Sequence, residues 1–145
     1  MEISVRWGLP TDSKAIKVIA TKDSDFLGFE PEVVYKTAAT NQELIVALAD
    51  NKYLVGFIFM GGKTKDKWTI YQIATARIVR GKGAGKALID FMATEAAKEG
   101  KGIRLKVTTE NRVAIAFYQG VGFTIVDVEK PNIRSLYLME KECLT

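Results

Sequence analysis

The sequence predicts an α/β (α+β) fold in which a mixed sheet of about seven strands is flanked by about four helices. Three observations lead there. Segments of strand period and of helical period follow one another in the order β-α-α-β-β-β-α-β-α-β-β. A glycine-rich basic turn, Arg80-Gly81-Lys82-Gly83-Ala84-Gly85, joins a strand to a helix. The 145 residues, 48% hydrophobic and 26% charged, suffice for one domain over 1–145 with a real core, and no linker, repeat or low-complexity segment interrupts them.

Residues 2–7 read as a strand. Pro10-Thr11-Asp12-Ser13 supplies helix-start residues, and Ile16, Ile19 and Ala20 give the following helix its apolar face. Lys22 to Gly28 reads as a polar loop. Glu30-Pro31-Glu32 starts a short second helix to about Ala38, with proline in its first turn. Glu43 to Ala49 and Tyr53 to Met60 form a hairpin through Asp50-Asn51-Lys52. Gly61 to Asp66 turns into the strand Trp68 to Thr75, which feeds the glycine loop. From about Ala84 a helix puts Leu88, Ile89, Met92, Ala93 and Ala96 on one face, and Gly100-Lys101-Gly102 ends it. Ile103, Leu105 and Val107 alternate with Arg104, Lys106 and Thr108 in the next strand. A helix at about 112–120 precedes closing strands Phe123 to Val128 and Ile133 to Met139, which Lys130-Pro131-Asn132 separates.

Composition removes several chemistries. No stretch approaches the ~18 apolar residues that span a membrane, and Met1 to Arg6 has no signal-peptide layout. The one cysteine, Cys143, forms no internal disulfide, which fits a reducing cytoplasm. The absence of histidine excludes Ser-His and Cys-His nucleophiles and histidine metal sites within the chain, and no metal is expected. A net charge of +4 tolerates anionic partners without identifying one.

The glycine loop is a phosphate cradle. Gly81, Gly83 and Gly85 let the backbone turn tightly and present its N–H groups. The helix beginning at Ala84 points its positive end at the same place, and Arg80 and Lys82 add charge. A Walker loop is excluded, because position 80 is Arg and position 87 is Ala. A dinucleotide fingerprint is excluded too, because its third glycine would fall on Lys86 or Leu88. What fits is R-x-x-G-x-G, as Arg80, Gly83 and Gly85.

A second motif lies downstream, where Asn111, Ala114, Tyr118, Gly122 and Phe123 fall in the register N-x-x-A-x-x-x-Y-x-x-x-G-F. Together, and about a helix plus a strand apart, the two motifs resemble the GCN5-related N-acetyltransferase (GNAT) family over about residues 68–128. The resemblance implies an acyl-CoA N-acyltransferase-like fold: a mostly antiparallel sheet whose strands splay at the cofactor site. It implies acetyl-CoA (coenzyme A) as cofactor. Ile73, Ala74 and Thr75 would run along the pantetheine arm. Amides from about Arg80 through Gly81, Lys82, Gly83 and Ala84 to Gly85, with Lys86 beside them, would hold the pyrophosphate. Asn111 would bond the arm or a water, and Ala114 and Phe117 would line the thiol end. Tyr118 would be the catalytic proton donor, since a phenol with an ordinary pKa near 10 is protonated at neutral pH. A backbone N–H near Thr75 would stabilise the oxyanion. The family more often has a branched apolar residue where Thr75 stands and a proline where Arg77 stands.

No base stands out. Tyr71, Gln72 and Glu110 are the nearest polar residues, each with a surface or structural role as its ordinary alternative. Glu30 and Glu32 lie where the family commonly binds acceptors, but a helix N-terminus also favours them. Arg77 and Arg112 read first as surface residues. The expected function is transfer of acetyl to a primary amine: a protein N-terminus, a lysine or a small molecule. One competing reading is a catalytically weak acyl-CoA-binding or regulatory module. Another is a nucleic-acid-binding domain, suggested by Lys63, Lys65 and Lys67 beside Trp68 and disfavoured by the lack of a nucleic-acid motif. Exposed strand edges leave monomer and homodimer both open.

Overall fold

The computed structural model describes residues 1–22, 30–130 and 134–143. Its strands are β1 (Ile3–Trp7), β2 (Leu44–Ala49), β3 (Tyr53–Gly61), β4 (Lys67–Thr75), β5 (Gly102–Thr108), β6 (Thr124–Glu129) and β7 (Leu136–Lys141). Its helices are α1 (Ser13–Lys22), α2 (Glu32–Thr40), α3 (Ala84–Lys98) and α4 (Arg112–Gly120). The strands make one mixed sheet in the order β1-β2-β3-β4-β5-β7-β6. Strand number, helix number and element order are those the sequence predicts.

The differences are local. Lys22 is the last residue of α1 rather than the first of a loop, and the rest of that expected loop lies outside the described residues. Pro31 is extended (φ −60°, ψ 154°) and precedes α2, which runs two residues beyond Ala38. Strand β7 starts at Leu136, not Ile133, and residues 131–133 lie outside the described set. Short 3-10 turns at Pro10–Asp12 and Arg77–Val79 have no counterpart in the sequence reading.

The chain divides into two compact units, Met1–Gly61 with Tyr71–Met92, and Gly62–Ile70 with Ala93–Thr145. Strand β4 and helix α3 contribute to both. Among the described residues no helix is long and apolar enough to cross a membrane.

In the first unit, β1, β2 and β3 form an antiparallel meander. Strand β2 is apolar throughout and buried at five of its six positions, as suits a strand covered on both faces. The hairpin to β3 turns at Asp50 and Asn51, both with positive φ (53° and 55°), which matches the strands' right-handed twist. Ile16, Ile19 and Ala20 of α1 pack with Tyr35, Ala38 and Ala39 of α2 against Leu44, Val46 and Phe57. Tyr35 is fully buried, and its hydroxyl donates to Gln72 Oε1 at 2.8 Å, which joins α2 to β4 and satisfies both buried polar groups. Near β1, Arg6 makes a two-pronged bond to Asp12, which also accepts from the Leu9 N–H. Burial opposes the Asp12 charge, but these bonds outweigh it and hold the carboxyl below its usual range.

In the second unit, β5 pairs parallel to the start of β4 and antiparallel to β7. The parallel ladder has three pairs, Lys67↔Gly102, Trp68↔Ile103 and Thr69↔Arg104. Such a short ladder is what the expected splay requires. Ile103, Leu105 and Val107 are buried, as their alternation predicts. Strand β6 lies at the edge of the sheet and is largely exposed.

Helix C-termini close in one recurring way. After α3, the N–H of Lys101 reaches the carbonyl of Ala96 and that of Gly100 reaches Ala97. After α4, Phe123 reaches Tyr118 and Gly122 reaches Gln119. Both are Schellman motifs with a left-handed glycine, Gly100 at φ 69° and Gly122 at φ 101°. An added methyl at Gly100 meets nothing within 4 Å, whereas one at Gly122 would lie 2.6 Å from Lys141 Nζ. Gly100→Ala should therefore lose about 1 kcal/mol from backbone strain alone. Gly122→Ala should lose at least as much, since the lysine must also move. Urea unfolding measures both, and two unaltered midpoints would refute the reading of these ends.

Candidate active site

The expected site residues fall in two groups, one in each compact unit. In the first, Ile73, Ala74 and Thr75 end β4, with Ala74 buried and its neighbours half-buried. Gly56 on β3 faces them. A methyl there would lie 3.1 Å from Ala74 O, 3.1 Å from Thr75 Cγ2 and 3.3 Å from Leu88 Cδ1, so glycine permits this close approach. The chain then leaves the sheet, its Ala76 N–H bonded to Val55 O, and coils through the turn at Arg77–Val79.

The glycine loop follows. Gly81 and Gly83 have φ of 78° and 86°, so both occupy the left-handed region that glycine favours. The N–H groups of Arg80 and Lys82 donate to Arg77 O and Val79 O. Those of Gly81, Gly83, Ala84, Gly85 and Lys86 have no backbone acceptor among the described residues. Of the amides expected at the pyrophosphate, those of Arg80 and Lys82 are therefore engaged within the turn, and that of Lys86, beside them, has no backbone acceptor among the described residues. The Lys86 ammonium is paired with Asp90 at 2.7 Å, so Lys86 offers its backbone more than its charge. Arg80, Gly81, Lys82 and Gly83 are exposed, and Ala84 is buried.

In the second group, Asn111 caps α4, its Oδ1 accepting from the Ala114 N–H at 3.2 Å. This role was not foreseen. It occupies the side-chain oxygen and leaves the amide nitrogen able to donate. Phe117, Tyr118 and Phe123 form an edge-to-face series with centroids 5.5 and 5.7 Å apart. Phe123 is buried, and Ala114 is half-buried. Burial pushes the Tyr118 phenol up to about 12.

The other candidates separate clearly. Gln72 is buried and bonded to Tyr35, so its role is structural. Glu32 stands in the first turn of α2, where a carboxylate suits the helix end. Glu110 and Arg112 are exposed. Tyr71 is half exposed, its ring edge-on to Phe59 at 5.4 Å. A point at Gly61, where a side chain would begin, is 3.1 Å from Glu43 Oε2 and 3.3 Å from the Tyr71 hydroxyl. The sequence reading missed Glu43, because the residues around it come from separate strands. The basic turn is tied into its own unit. Lys63 lies over the Trp68 ring at 4.9 Å, Lys67 faces Glu140 at 3.8 Å, and Lys101 donates to the carbonyls of Thr64 and Lys65. Among the described residues no cluster of His, Cys, Asp or Glu could hold a metal.

The chain as a whole is similar to known proteins. The model of the acetyltransferase (GNAT) family matches residues 15–123. The chain belongs to that family. A 5-NmdU N-acetyltransferase of Pseudomonas phage PaMx11 is 30% identical over 126 residues, covering 85% of this chain and 88% of the relative. Ard1 from Thermoplasma volcanium superposes with a TM-score of 0.85 at 22% identity over the whole of both chains. Arabidopsis thaliana Naa50, solved with the bisubstrate analogue CoA-Ac-MVNAL, gives 0.79 at 24% identity over 98% of this chain and 99% of its own.

This GNAT protein is an acetyl-CoA-dependent acetyltransferase. The loop fits the polyanionic end of that cofactor. Its glycines expose main chain where side chains would otherwise stand, and five amides at and just before the start of α3 have no backbone acceptor among the described residues.

The Tyr118 environment has a measurable consequence. The folded protein keeps this proton above pH 10, where an unfolded chain loses it. Its contribution to stability is present in full below about pH 10 and is lost between pH 10 and about 12. The loss should amount to roughly 2–3 kcal/mol. Urea unfolding of wild type against Tyr118→Phe at pH 8 and pH 11.5 isolates it. A stability difference that stays constant across that range would contradict burial as the cause.

Proposed function

We propose that the protein transfers acetyl from acetyl-CoA directly to a primary amine, with 1–145 acting as one catalytic domain. The observation that carries this reading is the glycine loop with its uncommitted helix-end amides, in a chain of the GNAT family. The amides of Gly81, Gly83, Ala84, Gly85 and Lys86 bind the pyrophosphate, and Arg80 and Lys82 add positive charge. Ile73, Ala74 and Thr75 contact the pantetheine arm. Asn111 donates its side-chain N–H, and Ala114 and Phe117 line the thiol end. Acetyl-CoA, when bound, supplies an activated thioester.

Tyr118 is the proposed acid, and its environment defines how it acts. At about 12 its hydroxyl stays protonated throughout the working range. Complete transfer to a thiolate with a pKa near 8.5 would be uphill by about 5 kcal/mol. Tyr118 therefore acts first as a hydrogen-bond donor through its hydroxyl as charge builds on the departing group. It gives up that proton only as it receives another. The amine nitrogen must lose one proton on becoming an amide, so the reaction itself supplies it.

The acceptor amine must enter neutral. At pH 7 this costs on the order of 4.6 kcal/mol for a lysine-type amine and about 1 kcal/mol for an α-amine. The phage relative is named as acting on 5-NmdU, and the Naa50 structure carries a peptide-bearing analogue. Both acceptor types belong in an assay panel, beside lysine and small diamines. A cytoplasmic setting, where Cys143 stays reduced, suits this activity.

Acetyl-CoA at a hundredfold excess over its dissociation constant should stabilise the protein by about 2.7 kcal/mol, read as a thermal shift. Oligonucleotide should not. Gly83→Ala should weaken that response through its strained φ, since no atom crowds the added methyl. A Gly83→Ala protein with wild-type affinity would remove the loop from the cofactor site. In a thiol-release assay over the amine panel, Tyr118→Phe should lower kcat at least tenfold while leaving acetyl-CoA affinity within twofold. Unchanged kcat would exclude the acid role.

A further inference from the structure

A depression of about 270 Å³ opens on the first unit, lined by Val33, Val34, Thr37 and Ala38 of α2, by Phe59 of β3 and by Glu43. Its lining is apolar except for Thr37 and the Glu43 carboxylate. Glu43 is held by its backbone on both sides. Its N–H donates to Ala38 O, and its carbonyl accepts from the Met60 N–H. The first of these bonds belongs to a third Schellman motif, in which Gln42 takes the left-handed position at φ 54°. Glycine is the usual residue there, and an apolar residue is usual where Glu43 stands. Both local preferences are set aside at one place, which is where a functional demand is expected to show.

The Glu43 carboxylate is also uncommitted. Among the described residues it makes no side-chain hydrogen bond or ion pair, in a chain with 21 Lys and Arg. The Tyr71 hydroxyl lies beside it and is likewise without a partner among those residues. Both groups lie within 3.3 Å of the point where a Gly61 side chain would begin. Glycine at 61 keeps them in place, since a methyl would lie 2.7 Å from the Tyr71 ring.

We infer that Glu43 and Tyr71 hold a cationic group of the acceptor, with its aliphatic stem in the depression against Val33, Val34 and Phe59. The inference rests on the amine-acceptor reading above and names the acceptor's class. The group held is not the reacting amine. A carboxylate stabilises the ammonium form, whereas transfer needs the neutral form. The acceptor therefore carries a second positive charge, separated by an apolar spacer from the amine that is acetylated. Glu43 and Tyr71 are specificity determinants in this scheme rather than catalytic residues.

A matched pair of probes tests this: 1,5-diaminopentane and 1-aminopentane, alike except for one ammonium group. Methyl NMR of Val33 and Val34 reads binding without turnover. In the wild type, 1,5-diaminopentane should saturate the shifts at a concentration at least tenfold below that of 1-aminopentane. Glu43→Gln should reduce this preference to less than twofold while the acetyl-CoA thermal shift stays intact. Tyr71→Phe should weaken diamine binding severalfold. A tenfold preference that survives in Glu43→Gln, or valine methyls that ignore the diamine in the wild type, would overturn the inference. Intact diamine binding with no acetyl transfer to any amine would uphold this site and count against the transfer reading instead.

Discussion

An α-helix leaves four N–H groups and four C=O groups without internal partners at its ends, and this chain treats its helix ends in two opposite ways. Three C-termini, those of α2, α3 and α4, are closed by Schellman hydrogen bonds. The start of α4 is closed by Asn111. The start of α3 is left open: among the described residues the amides of Gly81, Gly83, Ala84, Gly85 and Lys86 have no backbone acceptor. The closed ends fix geometry, and the open end is the one proposed to bind the cofactor. Most of the proposed site residues sit next to one or the other.

The α4 segment shows how closely capping and function are entangled. In N-x-x-A-x-x-x-Y-x-x-x-G-F, Asn111 bonds the N–H of Ala114, and Gly122 supplies the left-handed residue that ends the helix. Phe123 then packs on Tyr118, the pairing that a Schellman motif commonly makes. Much of the pattern is therefore helix punctuation, which any well-ended nine-residue helix could use. What punctuation does not require is a tyrosine held between Phe117 and Phe123 in surroundings that push its phenol up to about 12. The motif sets the half-buried Tyr118 ring edge-on between two phenylalanines.

This explains which parts were legible in the sequence. Local signals read well. The alternation in β5, the glycine end of α3 and the order of the elements all follow from residues within a few positions of one another. Nonlocal features read poorly. The 3-10 turn at Arg77–Val79 is formed where the chain leaves β4, and no residue in it announces the bend. The structural use of Gln72 depends on Tyr35, 37 residues away. Glu43 looked like the first residue of a strand, and nothing in its own neighbourhood points to Phe59, Gly61 and Tyr71.

The proton accounting connects the two ends of the proposed reaction. Moving acetyl from a thioester to a neutral amine takes one proton from nitrogen and gives one to sulfur, so no net proton is consumed. Burial that raises the phenol to about 12 disfavours it as the net source of a proton for a thiolate and favours a relay in the proposed reaction. The remaining cost is that of making the amine neutral, which depends on the acceptor more than on the donor site. A carboxylate placed at the reacting nitrogen would raise that cost by stabilising the ammonium form. Glu43 is useful only if it binds a different charge. In the proposed scheme an acceptor with two well-separated amines meets both demands: one ammonium is held at Glu43, and the other amine, away from that carboxylate, is not held in its charged form.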